Sequence, residues 1–138
     1  MRHYAADFLA AAMHFRPPAN RFSPIPYYLV CHSIELSLKS FLFTVGFKRA
    51  DRRRIGHDLE RGLADGEARG LRDHLDVTAD DREHIRRANK LYCKKEFEYF
   101  ESLETIYDPF DFDLAALTSF AQLLYEGIDA PVQASVFG

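Results

Sequence analysis

Between Pro26 and Val45 the chain runs for twenty residues with no glycine and no proline after the first. Apolar side chains recur there at helical spacing on two sides. Val30, Ile34, Leu38, Phe41 and Val45 make one face; Leu29, Leu36 and Phe43, continued by Phe47, make the other. A helix apolar on both flanks must lie centrally, with neighbours on each side, because only a thin strip of it can face water. One such strip is polar. At 3.6 residues per turn Tyr28, His32, Glu35 and Lys39 fall within an arc of roughly 60°, as a single ribbon. Ser33, Ser37, Ser40 and Thr44 form a second narrow line. Small side chains at that spacing let a neighbouring helix approach closely, and their hydroxyls can bond back to the carbonyl four residues earlier. Pro26 suits a first helical turn, where its missing N–H goes unused, and Gly46 suits a left-handed C-cap. The spacing therefore predicts a central helix over about 26–45.

The rest of the chain reads as helices around this rod. Residues 4–15 carry Tyr4, Phe8, Ala11 or Ala12 and Phe15 on one side, ended by Pro17-Pro18. Residues 58–68 place Leu59, Leu63 and Ala64 on an apolar side, with Gly66 and Gly70 weakening the end. Thr78, followed three residues later by Asp81, is a capping signal for a helix to about Tyr92; Ile85, Ala88 and Tyr92 face inward, and Arg82, Arg86 and Lys90 form a solvated basic row. Residues 111–126 bury Leu114, Leu117, Phe120 or Ala121, and Leu124, with Asp111 and Asp113 at the positive end and Gly127 at the stop. The tail 129–138 reads as loosely ordered or docked on a partner. No segment alternates with a two-residue period, so the expectation is all-α: a bundle of four to five helices in one domain, 1–138.

At 138 residues the chain can bury about two-thirds of its unfolded surface and fold without metal or disulfide staples. With 12 Phe and 7 Tyr, aromatic packing is expected to dominate the core. Cys31 and Cys93 lie outside any CxxC or Cys/His spacing and read as free thiols in a reducing compartment. The short apolar run Phe8 to Met13 reads as neither signal peptide nor anchor, so the expected setting is cytoplasmic, with no membrane partner. Net charge is −3, but all 18 Lys and Arg lie in residues 1–95, while residues 96–138 hold nine acidic residues and no Lys or Arg. Such a split fits internal neutralisation, a C-terminal helix packed across the basic part, or opposite faces that meet in a dimer.

Two readings fit Glu35 and Lys39. As an exposed i,i+4 pair they add a few tenths of a kcal/mol. As part of a rod clad in Leu, Ile and Phe they line a pocket that His57 or Asp58 can join, where Lys39 is a point charge for phosphate and His32 or His57 moves a proton near neutral pH. Asp58 also suits capping of the helix it opens. The six histidines and two cysteines show no HxxxH or CxxC spacing, so neither a metal set nor a cofactor is expected. No phosphate loop or nucleophile elbow is present either. The run Lys48, Arg49, Arg52, Arg53, Arg54 and Arg61 reads as a solvated loop or as phosphate contacts joined by Arg86, Arg87, Lys94 and Lys95. Tyr92, Phe97, Tyr99 and Phe100 read as core aromatics or as platforms for bases.

Glu35-Leu36-Ser37-Leu38-Lys39, then Gly56-His57-Asp58-Leu59, then the Tyr92 to Tyr99 region resemble, in that order, the HEPN superfamily of small helical domains. The resemblance spans about residues 26–126. It implies a helical bundle, often dimeric, with roles that include metal-independent RNA cleavage in toxin and defence systems, nucleotide binding, and partnership with nucleotidyltransferases. Ribonuclease members resemble one another in an Arg, four to six residues, then His, acting on the scissile phosphate across a dimer. Arg52 and His57 satisfy that spacing, and so do Arg69 and His74. In the family the pair lies late in the bundle, where this chain has no Arg or His after Lys95. The candidate catalytic pair is thus Arg52 and His57. The candidate ligand-binding set is His32, Glu35, Lys39, His57, Asp58, Tyr92, Lys95 and Tyr99. The implied ligand is a nucleotide, RNA or another phosphate-bearing molecule, bound without cleavage or, alternatively, cleaved.

Overall fold

The computed structural model describes residues 1–94 and 113–137, and the described residues are all-helical with no strand. Among the described residues there are seven α-helices: α1 (Arg2–His14), α2 (Ile25–Thr44), α3 (Arg49–Ile55), α4 (Leu59–Ala68), α5 (Ala79–Tyr92), α6 (Leu114–Gly127) and α7 (Asp129–Phe137), with a 3₁₀ turn at Leu71–Asp73. None is long and apolar enough to cross a membrane.

The central rod is α2, packed against α1, α4, α5, α6 and α7. Val30, Ile34, Leu38 and Phe41 are buried within it, and Leu59, Leu63, Ile85, Leu117 and Leu124 close around them. Pro26 sits in its first turn. Its end is a Schellman motif: Phe47 N–H donates to Leu42 O (3.0 Å), Gly46 N–H to Phe43 O (3.3 Å), and Gly46 takes φ 100°, a conformation a Cβ would disfavour. At the other cap expected from sequence, Thr78 Oγ1 accepts the Asp81 N–H while Asp81 accepts the Thr78 N–H, both at 3.0 Å.

Several expectations are corrected. The helix count exceeds four to five because the basic run folds as α3, not as a loop, with Asp51 accepting the Lys48 N–H at its start (2.9 Å). The tail also forms a helix, α7, held by buried Ile128, by Val132 against the core and by the Arg2–Asp129 ion pair (2.9 Å). On α1 the inward stripe is Ala5, Leu9 and Ala12, leaving Tyr4 exposed, because α1 approaches α2 through its smallest residues. On α4, Gly62 and Gly66 face inward and Ala64 outward. Among the described residues the largest fully buried side chains are aliphatic apart from Phe41. Arg82 stays part-exposed but is paired: its guanidinium forks onto Glu67, which Arg72 also contacts.

The serine line behaves differently at each position. Ser33 Oγ donates across to Ala5 O on α1 at 2.7 Å, and Thr44 Oγ1 donates to Phe41 O three residues back, at 2.6 Å. Ser37 and Ser40 hydroxyls are buried and have no hydrogen-bond partner among the described residues. None of the four bonds to the carbonyl four residues earlier, the arrangement their spacing predicts.

Candidate functional site

Glu35 lies midway along α2, its side chain only 6% exposed, and receives donors from three elements. Lys39 Nζ, one turn on, stands 3.1 Å from Oε2. His57 Nδ1, from the turn between α3 and α4, stands 2.7 Å from Oε1, and Tyr92 Oη, from the end of α5, donates to the same oxygen at 2.9 Å. His32 Nδ1 is 2.9 Å from Tyr92 Oη and 3.9 Å from Glu35 Oε2. A carboxylate so enclosed needs its donors, since burial of an unpaired charge costs several kcal/mol.

The network assigns the protons. Tyr92 has one hydroxyl hydrogen and directs it at Glu35, so the His32 Nδ1–H donates to Oη. His57 faces an acceptor through Nδ1 and therefore carries its hydrogen there. That leaves Nε2, on a side chain 38% exposed, as the atom turned to a ligand or solvent. Burial, with the Glu35 charge beside it, pushes the Tyr92 phenol well above its usual range, so it remains a donor. Burial first and Glu35 second push the Cys31 thiol up likewise, which makes it inert.

Aromatic rings wall the cluster. Tyr28 stacks on His32 (centroids 5.7 Å apart, planes at 11°), Phe8 meets His32 edge-on at 4.5 Å, and Tyr92 meets His57 edge-on at 6.0 Å. Rings on three helices thus hold both imidazoles in place.

Of the candidate ligand-binding residues, His32, Glu35, Lys39, His57 and Tyr92 converge on this hydrogen-bonded group. Asp58 stands beside it as a cap, accepting the Arg61 N–H at 3.1 Å at the start of α4. Lys95 and Tyr99 lie outside the described residues. Arg52 is placed differently: its guanidinium lies 5.0 Å over the Phe43 ring, and with Lys39, Phe47 and Ile55 it lines a shallow slot. Among the described residues no hydrogen bond joins Arg52 to His57 within the chain. The second pair of matching spacing is structural in its contacts, Arg69 donating to Val45 O (3.2 Å) and His74 meeting Phe41 edge-on at 5.8 Å. Exposed Arg49, Arg53 and Arg54 make α3 a cationic rim next to the His57 turn.

Sequence reasoning passed over Asn89, which is 6% exposed and accepts the Leu59 N–H at 2.8 Å while donating to Asp58 Oδ1 at 2.9 Å. Its signal was an amide on the inward stripe of α5, four residues after Ile85 and three before Tyr92. Among the described residues no three His, Cys, Asp or Glu side chains gather as metal ligands would. Comparison with protein-family models, curated proteins and solved structures yields no match to this chain.

Proposed function

We propose that this chain is a HEPN-like helical domain that binds a nucleotide or another phosphate-bearing ligand at His57 and the cationic rim of α3. The observation that carries the reading is the 2.7 Å contact between His57 Nδ1 and the buried Glu35, which fixes the imidazole and leaves Nε2 to accept from a ligand hydroxyl or, in the imidazolium form, to donate to a phosphate oxygen. Lys39 offsets the Glu35 charge, so an arriving phosphate meets a neutralised carboxylate with arginines beyond it. A cytoplasmic setting, a homodimer and a nucleotidyltransferase partner belong to the same reading; the two unpaired cysteines suit the first. Titration of the purified chain with nucleoside triphosphates and with a short RNA, at two salt concentrations, tests it. Saturable binding is expected, weakened by His57→Ala. Three phosphate contacts with RNA lower affinity about twentyfold between about 50 and 200 mM salt. No saturable binding at low salt would remove the reading.

A second reading, metal-independent RNA cleavage, is favoured by the same carboxylate-held histidine, because a base oriented through one ring nitrogen transfers protons with the other. Arg52 would stabilise phosphorane charge, across a dimer or within the chain. Cleavage that persists in chelator and is abolished by His57→Ala would support it; cleavage unaffected by that substitution would exclude it.

A further inference from the structure

Two side chains on one face of α5 fix His57, and neither touches it through a bond that sequence motifs describe. Tyr92 donates to Glu35 Oε1, the same oxygen that accepts the His57 Nδ1–H, and so sets where that acceptor stands. Three residues earlier, Asn89 grips the chain just after His57: its Oδ1 takes the Leu59 N–H at 2.8 Å and its Nδ2 donates to Asp58 Oδ1 at 2.9 Å. Asp58 Oδ1 also accepts the Arg61 N–H at 3.1 Å, so the first turn of α4 is tied together and tied to α5 by a single buried amide.

We infer that Asn89 is the positioning residue of the His57 site, clamping residues 58 and 59 so that the imidazole meets Glu35 through Nδ1 and presents Nε2 outward. Only a side chain with an acceptor and a donor on one planar group makes both contacts. Aspartate at position 89 would set two acceptors against Asp58 in a buried place, and an apolar residue would orphan the Leu59 N–H. Free imidazole in water holds its hydrogen on Nε2 more often than on Nδ1; the Nδ1–H form here depends on Glu35 being within reach, and hence on the clamp. Use of Nε2 by a phosphate ligand rests on the function proposed above, whereas the clamp does not, so its test reads the imidazole and not binding.

The test is the ring-nitrogen NMR spectrum of the full chain with ¹⁵N-labelled histidine, at about pH 8.5, two units above the ordinary imidazole pKa. The unaltered chain should show His57 with a protonated Nδ1 and a bare Nε2. Asn89→Asp should shift both resonances toward the averaged tautomer mixture or unfold the chain. Asn89→Ala removes both contacts without adding a charge and leaves Asp58 capping Arg61, so the chain should stay folded at reduced stability with His57 in the tautomer mixture. Leu63→Ala removes buried α4 packing without touching the clamp, so it should lower stability and leave the His57 signature in place. An Asn89→Ala chain that folds with the unaltered signature overturns the inference, as does one that fails to fold, which would make Asn89 a residue of general stability. So does an Asn89→Asp chain that keeps the unaltered signature, or a Leu63→Ala chain that loses it. Absence of nucleotide binding, with the tautomer results as expected, would instead count against the function proposed above and leave the clamp standing.

Discussion

Lys39 Nζ and His57 Nδ1 stand on opposite oxygens of one buried carboxylate, at 3.1 Å from Oε2 and 2.7 Å from Oε1 of Glu35, so a cation and an imidazole share a single counter-charge. The arrangement makes Glu35 the group on which the rest of the cluster depends. Lys39 is only 11% exposed, too little for water to replace its partner. Glu35→Gln should therefore cost about 3 kcal/mol, since it leaves the ammonium facing an amide N–H₂. Lys39→Met should cost a comparable amount by leaving the carboxylate with neutral donors alone. The double variant should lose less than the sum, with a coupling of about 1–3 kcal/mol. Urea denaturation of the four chains measures it; additive losses would mean that the two groups do not sense each other.

The serine line offers a sharper contrast, because residues four apart on the same helix differ in whether the hydroxyl has a partner. Ser33→Ala removes the bond to Ala5 O that ties α1 to α2 and should cost about 1 kcal/mol. Ser37→Ala removes a buried hydroxyl with no partner among the described residues and should be neutral, or stabilising by up to about 1 kcal/mol. Midpoints of chemical denaturation distinguish the two; equal losses would show that Ser37 has a partner.

What the chain revealed before folding was local and periodic. The central helix, its Gly46 cap, the Thr78–Asp81 cap and the inward faces of α5 and α6 follow from 3.6-residue spacing and from end signals that act within a turn. The ribbon through His32, Glu35 and Lys39 was legible for the same reason. Its meeting with His57 stood in sequence only as one of two readings, and Tyr92 entered the site only through the family resemblance, because 22 and 57 residues of chain separate them from Glu35. Asn89 escapes notice since a helical asparagine looks alike whether it faces water or a backbone N–H and a carboxylate. The partner of Arg82 is hidden in sequence because its acceptor Glu67 lies 15 positions away, on α4. Helix α3 was taken for a loop because seven residues give too short a period to recognise.

Glu67 predicts how stability responds to acid. Its side chain is 10% exposed and takes the fork of Arg82 together with Arg72, and the Arg82 hydrogen bonds, the largest cause, hold its carboxyl below the ordinary value of 4.5. A carboxyl lowered by folding contributes stability above its unfolded pKa and loses that contribution as pH falls through the lower, folded value. The native chain should hold this increment at pH 7 and lose it progressively below about pH 4.5. Glu67→Gln should be less stable by about 2 kcal/mol at neutral pH, through lost charge-assisted bonds, and the gap should narrow toward pH 3. Urea melts across this window read the difference; a gap independent of pH would show that the carboxylate charge is not what holds α4 to α5.

Gly127, which sequence places at the stop of a helix, is the last residue of α6, with Ile128 as the C-cap. A Cβ there would stand 3.0 Å from Leu75 Cδ2, 3.1 Å from Leu75 Cβ and 3.3 Å from the His74 carbonyl oxygen, so glycine is required by how closely residues 74–75 cross the helix. Alanine gains about 1 kcal/mol in helix propensity. Against that, overpacking a buried contact costs about 1–3 kcal/mol, and two of the three opposing atoms, the Leu75 Cβ and the His74 carbonyl, cannot swing away as a side-chain tip can. Gly127→Ala should therefore destabilise by about 1 kcal/mol net. In a Leu75→Ala background the δ-methyl contact is gone while the Cβ and the carbonyl remain, so the same substitution should cost less without turning favourable. Four denaturation curves decide the matter: an equal penalty in both backgrounds would mean that the Leu75 δ-methyl contributes nothing to keeping position 127 bare.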